Sequence, residues 1–184
     1  FSPTRRKLLT GGAVAAIFVL ALKSGIDLGK AVAAKVKKTV LPAGAGNAED
    51  FANRCLNCNL CVQNCPMQII KKADGDYPAV HIDYTAGFCD YDCRKCSEIC
   101  PSGAIKRLTL AEKQKTQVGL AVINENTCIK CGLCVMKCPR EAISKEDGSF
   151  PLINTDECIG CGACQNTCPV KAITVMPIEQ QKIL

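Results

Sequence analysis

Apolar and polar positions fall into distinct rhythms along this chain. Leu8–Leu22 is almost wholly apolar and is bracketed by Arg5, Arg6 and Lys7 on one side and Lys23 on the other. As a helix, this run of 15 residues would reach about 22 Å at ~1.5 Å per residue, short of the ~30 Å hydrocarbon core of a bilayer. It reads as a signal-like segment that stays on the chain as an uncleaved anchor, with Lys23 snorkelling at its far end. From residue 23 to 40 the period becomes helical. Ile26, Leu28, Gly29, Val32, Ala33, Val36 and Val40 share one side, and Lys23, Asp27, Lys30, Lys35, Lys37 and Lys38 the other. This amphipathic helix suits a membrane interface, a partner subunit or a plain solvated surface. Leu41–Asn47 combines Pro and Gly with no period and predicts a linker.

Beyond Glu49 the pattern repeats. Four apolar pairs recur, Ile69-Ile70, Ala104-Ile105, Ala142-Ile143 and Ala172-Ile173, each a few residues after a Cys-Pro dipeptide. Short β-prone pieces, Ala79–Ile82 and Phe150–Ile153, follow the turn residues Asp74-Gly75-Asp76 and Glu146–Ser149, as expected of hairpins. The predicted unit is a loop, a helical turn, a hairpin and a second loop, and it occurs twice. Thr109–Gly119, rich in Lys, Gln and Glu, predicts a short exposed helix between the copies.

The loops contain all of the chain's chemistry. Sixteen cysteines fall into four runs with none left over. Cys55, Cys58, Cys61 and Cys65 form the first, Cys128, Cys131, Cys134 and Cys138 the third, and Cys158, Cys161, Cys164 and Cys168 the fourth. All three follow C-x2-C-x2-C-x3-C-P. The second run, Cys89, Cys93, Cys96 and Cys100, has one extra residue in its first gap. Cysteines three apart wrap a tight loop around one side of an iron–sulfur cubane, and the residue before proline is held extended as the chain leaves. Gly132, Gly160 and Gly162 let backbone amides approach closely. A structural zinc takes four ligands, usually from two C-x2-C pairs, and leaves a third cysteine and x3-C-P without a use. A disulfide scaffold gives no reason for one spacing repeated before proline.

Composition changes this picture little, and charge changes it only at the front. Aromatics are 4% and Trp is absent, so apolar packing is thin and bound metal is expected to supply folding free energy. Residues 1–38 carry eight Lys/Arg and one acid (Asp27), net +7; the rest carry 15 and 16, net −1. The basic character therefore belongs to the front end. It points to a membrane and argues against a nucleic-acid partner. His81, the only histidine, sits in a predicted strand and is expected to be structural. Arg94, Lys95, Lys130 and Lys137 lie within or beside the runs, where positive charge would favour a reduced cluster, and receive no defined role. No phosphate-binding loop, nucleophile elbow or flavin fingerprint is present, so no substrate chemistry is expected.

Residues 120–176 resemble a complete two-cluster bacterial ferredoxin domain, and 51–108 a more divergent copy. The resemblance implies an α+β chain of two tandem, cofactor-stabilised 2×[4Fe–4S] ferredoxin-like domains behind an N-terminal membrane helix. The segments are anchor 1–24, amphipathic helix and linker 25–48, first domain 49–108, connector 109–119 and second domain 120–184. It also implies four [4Fe–4S] clusters and their ligands: Cys55, Cys58, Cys61 with Cys100; Cys89, Cys93, Cys96 with Cys65; Cys128, Cys131, Cys134 with Cys168; and Cys158, Cys161, Cys164 with Cys138. A nested pairing, run one with four and two with three, is the alternative, as in four-cluster subunits of molybdenum oxidoreductases.

The Arg-Arg pair before a moderately apolar run resembles a twin-arginine export signal. With the four runs, it makes the chain similar to the NapG/MauM-type membrane-associated polyferredoxins. That resemblance implies a non-catalytic electron-transfer subunit on the periplasmic side of the inner membrane, held to lipid through residues 1–40. Its implied partners are an integral membrane quinol-oxidising or -reducing subunit and a second redox protein, such as a c-type cytochrome or a catalytic oxidoreductase subunit. Two other readings stay open: the electron-transfer arm of a hydrogenase or molybdenum complex, and a low-potential module facing the cytoplasm, for which the lysines at 23–38 speak.

Overall fold

Each cysteine run folds as a loop closing into one turn of helix, and the Cys-Pro dipeptide explains where three of those helices stop. In the computed structural model, which describes residues 39–73 and 79–184, α1 (Ala48–Arg54) leads into run one, whose own helix is α2 (Leu60–Gln63). Runs two, three and four contain α3 (Lys95–Ile99), α5 (Leu133–Lys137) and α6 (Ala163–Thr167). Cys100, Cys138 and Cys168 cap these three in extended geometry, φ −71 to −76° and ψ 110 to 113°. Clash with the proline ring pushes the preceding residue out of the helical region.

Among the described residues, three antiparallel ribbons complete the fold. The hairpins β1 (Ile70–Lys72) with β2 (Val80–Ile82) and β4 (Ile143–Ser144) with β5 (Leu152–Ile153) occur where the β-prone pieces predicted them. The third ribbon pairs β3 (Thr116–Ile123) with β6 (Ile173–Ile183), from Ile123 opposite Ile173 to Thr116 opposite Ile183. Its register shifts between Gln117 and Gly119, where Gly119 faces Pro177. Proline cannot donate to a ladder, and a bulge is one place it is tolerated. All eight residues of the four apolar pairs are buried, from Ile105 at 1% exposure to Ala104, Ile143 and Ile173 at 4%. They form a core beneath the loops.

Two expectations change. Residues 109–119 are not one exposed helix: α4 (Leu110–Lys115), closed by a Thr109–Glu112 capping box, ends at Thr116 and β3 begins there. The strand thus begins ahead of residue 120. Within α4, Lys113 is 4% exposed. The segment 41–47 is not a free linker either, since Leu41, Pro42, Ala43 and Ala45 are buried. Gly44 O accepts from Lys106 N at 2.8 Å and Gly46 O from Gln181 N at 3.1 Å. The Gln181 amide side chain also donates to the Leu41 and Pro42 carbonyls, at 3.1 and 3.0 Å. Small residues let this backbone pack closely against both domains. The expected anchor, the amphipathic helix and the Asp74–Asp76 turn lie outside the described residues. Among the described residues no helix is long and apolar enough to cross a membrane.

Candidate iron–sulfur sites

The runs use left-handed backbone at fixed places. The second residue after the first cysteine has positive φ in runs one, three and four (Asn57 53°, Lys130 58°, Gly160 72°), and so does the fourth (Asn59 60°, Gly132 76°, Gly162 84°). The third residue after the last cysteine does so in all four runs, at Gln68, Gly103, Glu141 and Lys171. These positions turn the chain so that successive cysteines face one centre, and only some require glycine. Gly160 and Gly162 do: a Cβ at 160 would overlap the Gly119 backbone, and one at 162 the Tyr84 ring.

Four sets of cysteines come together. Cys55, Cys58, Cys61 and Cys100 line one recess, floored by Phe51, Val80 and Ile105. Cys128, Cys131, Cys134 and Cys168 line a second, with Pro151 and Ile173. Cys158, Cys161, Cys164 and Cys138 line a third, with Ala121 and Ile143. Cys89, Cys93, Cys61 and Cys65 are neighbours of Cys96, and Cys93 and Cys65 are neighbours of Cys89, so the remaining set lies together beside Cys61. In each set the last cysteine comes from the other run of the same domain. Among the described residues no three His, Cys, Asp or Glu side chains converge closely enough to hold one metal ion.

Burial followed by mutual repulsion pushes several of these thiols up: Cys61 and Cys161 to about 11, Cys96 and Cys164 to about 12. Clustered thiolates without a compensating cation are unfavourable here, and a bound iron–sulfur core supplies that compensation. Cys100 differs. Burial raises it, but hydrogen bonds from the Ile105 amide and from Ser102 outweigh this, and it is lowered. Its sulfur accepts from Ile105 N at 3.4 Å, and Cys138 and Cys168 accept from Ala142 N and Ala172 N at 3.3 and 3.2 Å. Each of these apolar pairs thus also supplies an amide donor to a candidate ligand sulfur.

The widened gap of run two is closed by other means. Asp90 Oδ1 accepts from Asp92 N at 3.0 Å, and Cys93 N reaches Asp90 O at 3.3 Å. The buried Lys113 ammonium bonds the Asp90 carbonyl and, at 2.9 Å, the Tyr91 carbonyl. Burial pushes the Cys89 thiol up and Lys113 opposes it. Other basic residues near the runs have structural partners. Lys130 donates to Gly148 O at 3.0 Å and stands 4.2 Å from the Phe150 ring centre; Arg94 pairs with Glu98 at 3.0 Å. His81 lies opposite Lys71 in the first hairpin.

Lys113, Tyr84 and Gln117 were not foreseen. Gln117 is 3% exposed and donates to Cys158 O at 2.7 Å. Tyr84 is 4% exposed, and burial together with the nearby Cys89, Cys161, Cys164 and Cys158 sulfurs holds its phenol well above the ordinary range. Only one signal in the sequence pointed to Tyr84. Run four has glycine at both left-handed loop positions, where run one has Asn and run three Lys and Gly.

Three family models, each described as a 4Fe-4S dicluster domain, match residues 54–105, 88–142 and 121–175. They overlap, so runs two and three are each matched twice. The chain is thus an iron–sulfur protein of the ferredoxin type, an electron carrier by class. At 32% identity it is similar to the methylamine utilization ferredoxin-type protein MauM of Methylorubrum extorquens, over 79% of this chain and 72% of that protein. It also matches the ferredoxin-type protein NapF of Escherichia coli, at 30% identity over 61% of this chain and 87% of NapF, and MauM of Methylobacillus flagellatus, at 38% over 58% and 51%. The chain belongs to the NapG/MauM-type polyferredoxins. It spans about half the length of the Methylobacillus protein.

Proposed function

We propose that this chain is a four-cluster electron relay without substrate chemistry of its own, working between a quinone- or quinol-reacting membrane partner and a second redox protein. Each recess would be held by its own four cysteines: Cys55, Cys58, Cys61, Cys100; Cys65, Cys89, Cys93, Cys96; Cys128, Cys131, Cys134, Cys168; and Cys138, Cys158, Cys161, Cys164. A [4Fe–4S] core bound there takes up and releases one electron at a potential set by hydrogen bonds, charge and exposure. The observation that carries this reading is the grouping of sixteen cysteines into four sets of four, each of the three lined recesses backed by apolar side chains. Residues 1–40 would hold the carrier to the inner membrane, with the cysteine domains on the periplasmic side.

With a core bound, the cysteine ligands would be thiolates, the amides of Ile105, Ala142 and Ala172 would steady three of them, and the apolar side chains beneath would shield one side of each recess from water. The test is direct. Anaerobically prepared protein should contain about sixteen iron atoms and as many labile sulfides, and its visible absorption should bleach when a quinol and the purified membrane quinol oxidase are added together. Bleaching by a soluble dehydrogenase supplied with its own reduced substrate, with none from quinol and the membrane partner, would sink the membrane assignment. A further prediction concerns Lys113. Lys113→Met removes a buried positive charge beside Cys89, so the midpoint potential of that site should fall by about 60 mV, a tenfold change in a one-electron equilibrium. A redox titration followed by EPR reads it.

A further inference from the structure

The two domains meet where one cysteine loop of each is in direct contact. The Cys89 amide donates to the Cys161 carbonyl at 2.8 Å. Beside it, the buried Tyr84 lays its ring on Gly162 and donates its hydroxyl to the Gly160 carbonyl at 2.6 Å. A side chain at Gly162 would strike the ring, and one at Gly160 would strike the backbone of Gly119. The contact therefore joins the set containing Cys89 to the set containing Cys161, both second in their domains.

The other neighbours give an order. Within the first domain Cys96 is close to Cys61 as well as Cys65, and within the second α5 packs on α6. Of the sixteen cysteines, Cys58 and Cys131 are the two exposed ones, and they belong to the sets of run one and run three. Beside them Leu56 is 68% and Ile129 60% exposed. The spatial sequence is run one, run two, run four, run three, with exposed sites at both ends and the Tyr84 contact at the centre.

We propose that the Tyr84 contact is the electron crossing between the domains, which makes runs one and three the terminals where outside partners deliver or collect electrons. This rests on the four-cluster reading above. At the crossing one electron leaves the site of Cys65, Cys89, Cys93 and Cys96, which is oxidised, and enters the site of Cys138, Cys158, Cys161 and Cys164, which is reduced; reverse flow exchanges the two. No bond is made or broken and no proton moves. The Cys89–Cys161 hydrogen bond links one ligand residue directly to another. Tyr84 is a positioning residue: it fills the gap, excludes water and holds the two loops together, and it is not itself oxidised.

The test compares the intact, cluster-loaded chain with its Tyr84→Phe and Tyr84→Ala variants, by iron content and by EPR of the fully reduced forms. Tyr84→Ala should retain its iron yet lose part of the spin–spin broadening, while Tyr84→Phe, keeping the ring, should retain the full interaction. A Tyr84→Ala spectrum that superimposes on that of the unsubstituted chain at equal iron content would overturn the proposal. If Tyr84→Ala cannot hold iron, hydrogen exchange on the unsubstituted chain decides. The Cys89 amide should exchange about a hundredfold more slowly than the exposed Ala86 amide, and equal rates would overturn the crossing. Absence of iron from the unsubstituted chain is a different failure, because it removes the cluster reading itself.

Discussion

Replacing Cys65 by serine is expected to remove about four iron atoms per chain and to erase the EPR signal of the site that contains Cys89, Cys93 and Cys96. Cys65 ends run one, but its neighbours are the cysteines of run two, while Cys100 of run two faces Cys55, Cys58 and Cys61 across another recess. A serine oxygen is a poorer ligand for iron than a thiolate, so the cubane would lose its fourth anchor. The other three sites take no ligand from residue 65 and should keep their signals. Loss of the run-four signal instead would favour the nested pairing and contradict the ligand sets proposed here. Anaerobic iron analysis with EPR at successive potentials separates the outcomes.

The second large effect follows from stripping the iron. A chelator used with an oxidant is expected to unfold most of the chain, with loss of far-UV circular dichroism and of amide protection in the described domains. The fold has little else to rest on. Aromatics are 4% of residues and tryptophan is absent; Cys134, Cys158 and Cys164 are themselves part of the buried core. A single structural metal site can contribute ~10–16 kcal/mol, comparable with the ~5–15 kcal/mol that separates folded from unfolded domains. Without iron, the cysteines would face each other around unfilled recesses. A stripped chain that still melts cooperatively within a few degrees of the loaded one would show that packing alone suffices.

The sequence revealed what repeats at short range. Fixed cysteine spacing, the Cys-Pro stop and the apolar pair after it recur within twenty residues, and the structure uses each of them. The hairpin strands at Val80–Ile82 and Leu152–Ile153 were equally local. Long-range pairing was not legible. The ribbon of β3 with β6 joins residues fifty or more positions apart, and Pro177 makes β6 look interrupted where a bulge accommodates it. Lys113 appeared as one lysine among several in a polar stretch; its burial follows from carbonyls contributed by residues 90 and 91. Pro and Gly in 41–47 suggested a free connection, yet small side chains are also what allows a backbone to be buried closely against two neighbours. No periodicity can distinguish those cases.

The four runs look interchangeable on paper and are not. Run one carries side chains at both left-handed positions, Asn57 and Asn59, whereas run four is boxed in by Tyr84 above Gly162 and by Gly119 behind Gly160. A spectroscopic label or a surface tether would therefore be grafted onto run one at the exposed Asn57 with little disturbance. The same graft on run four would push the domains apart.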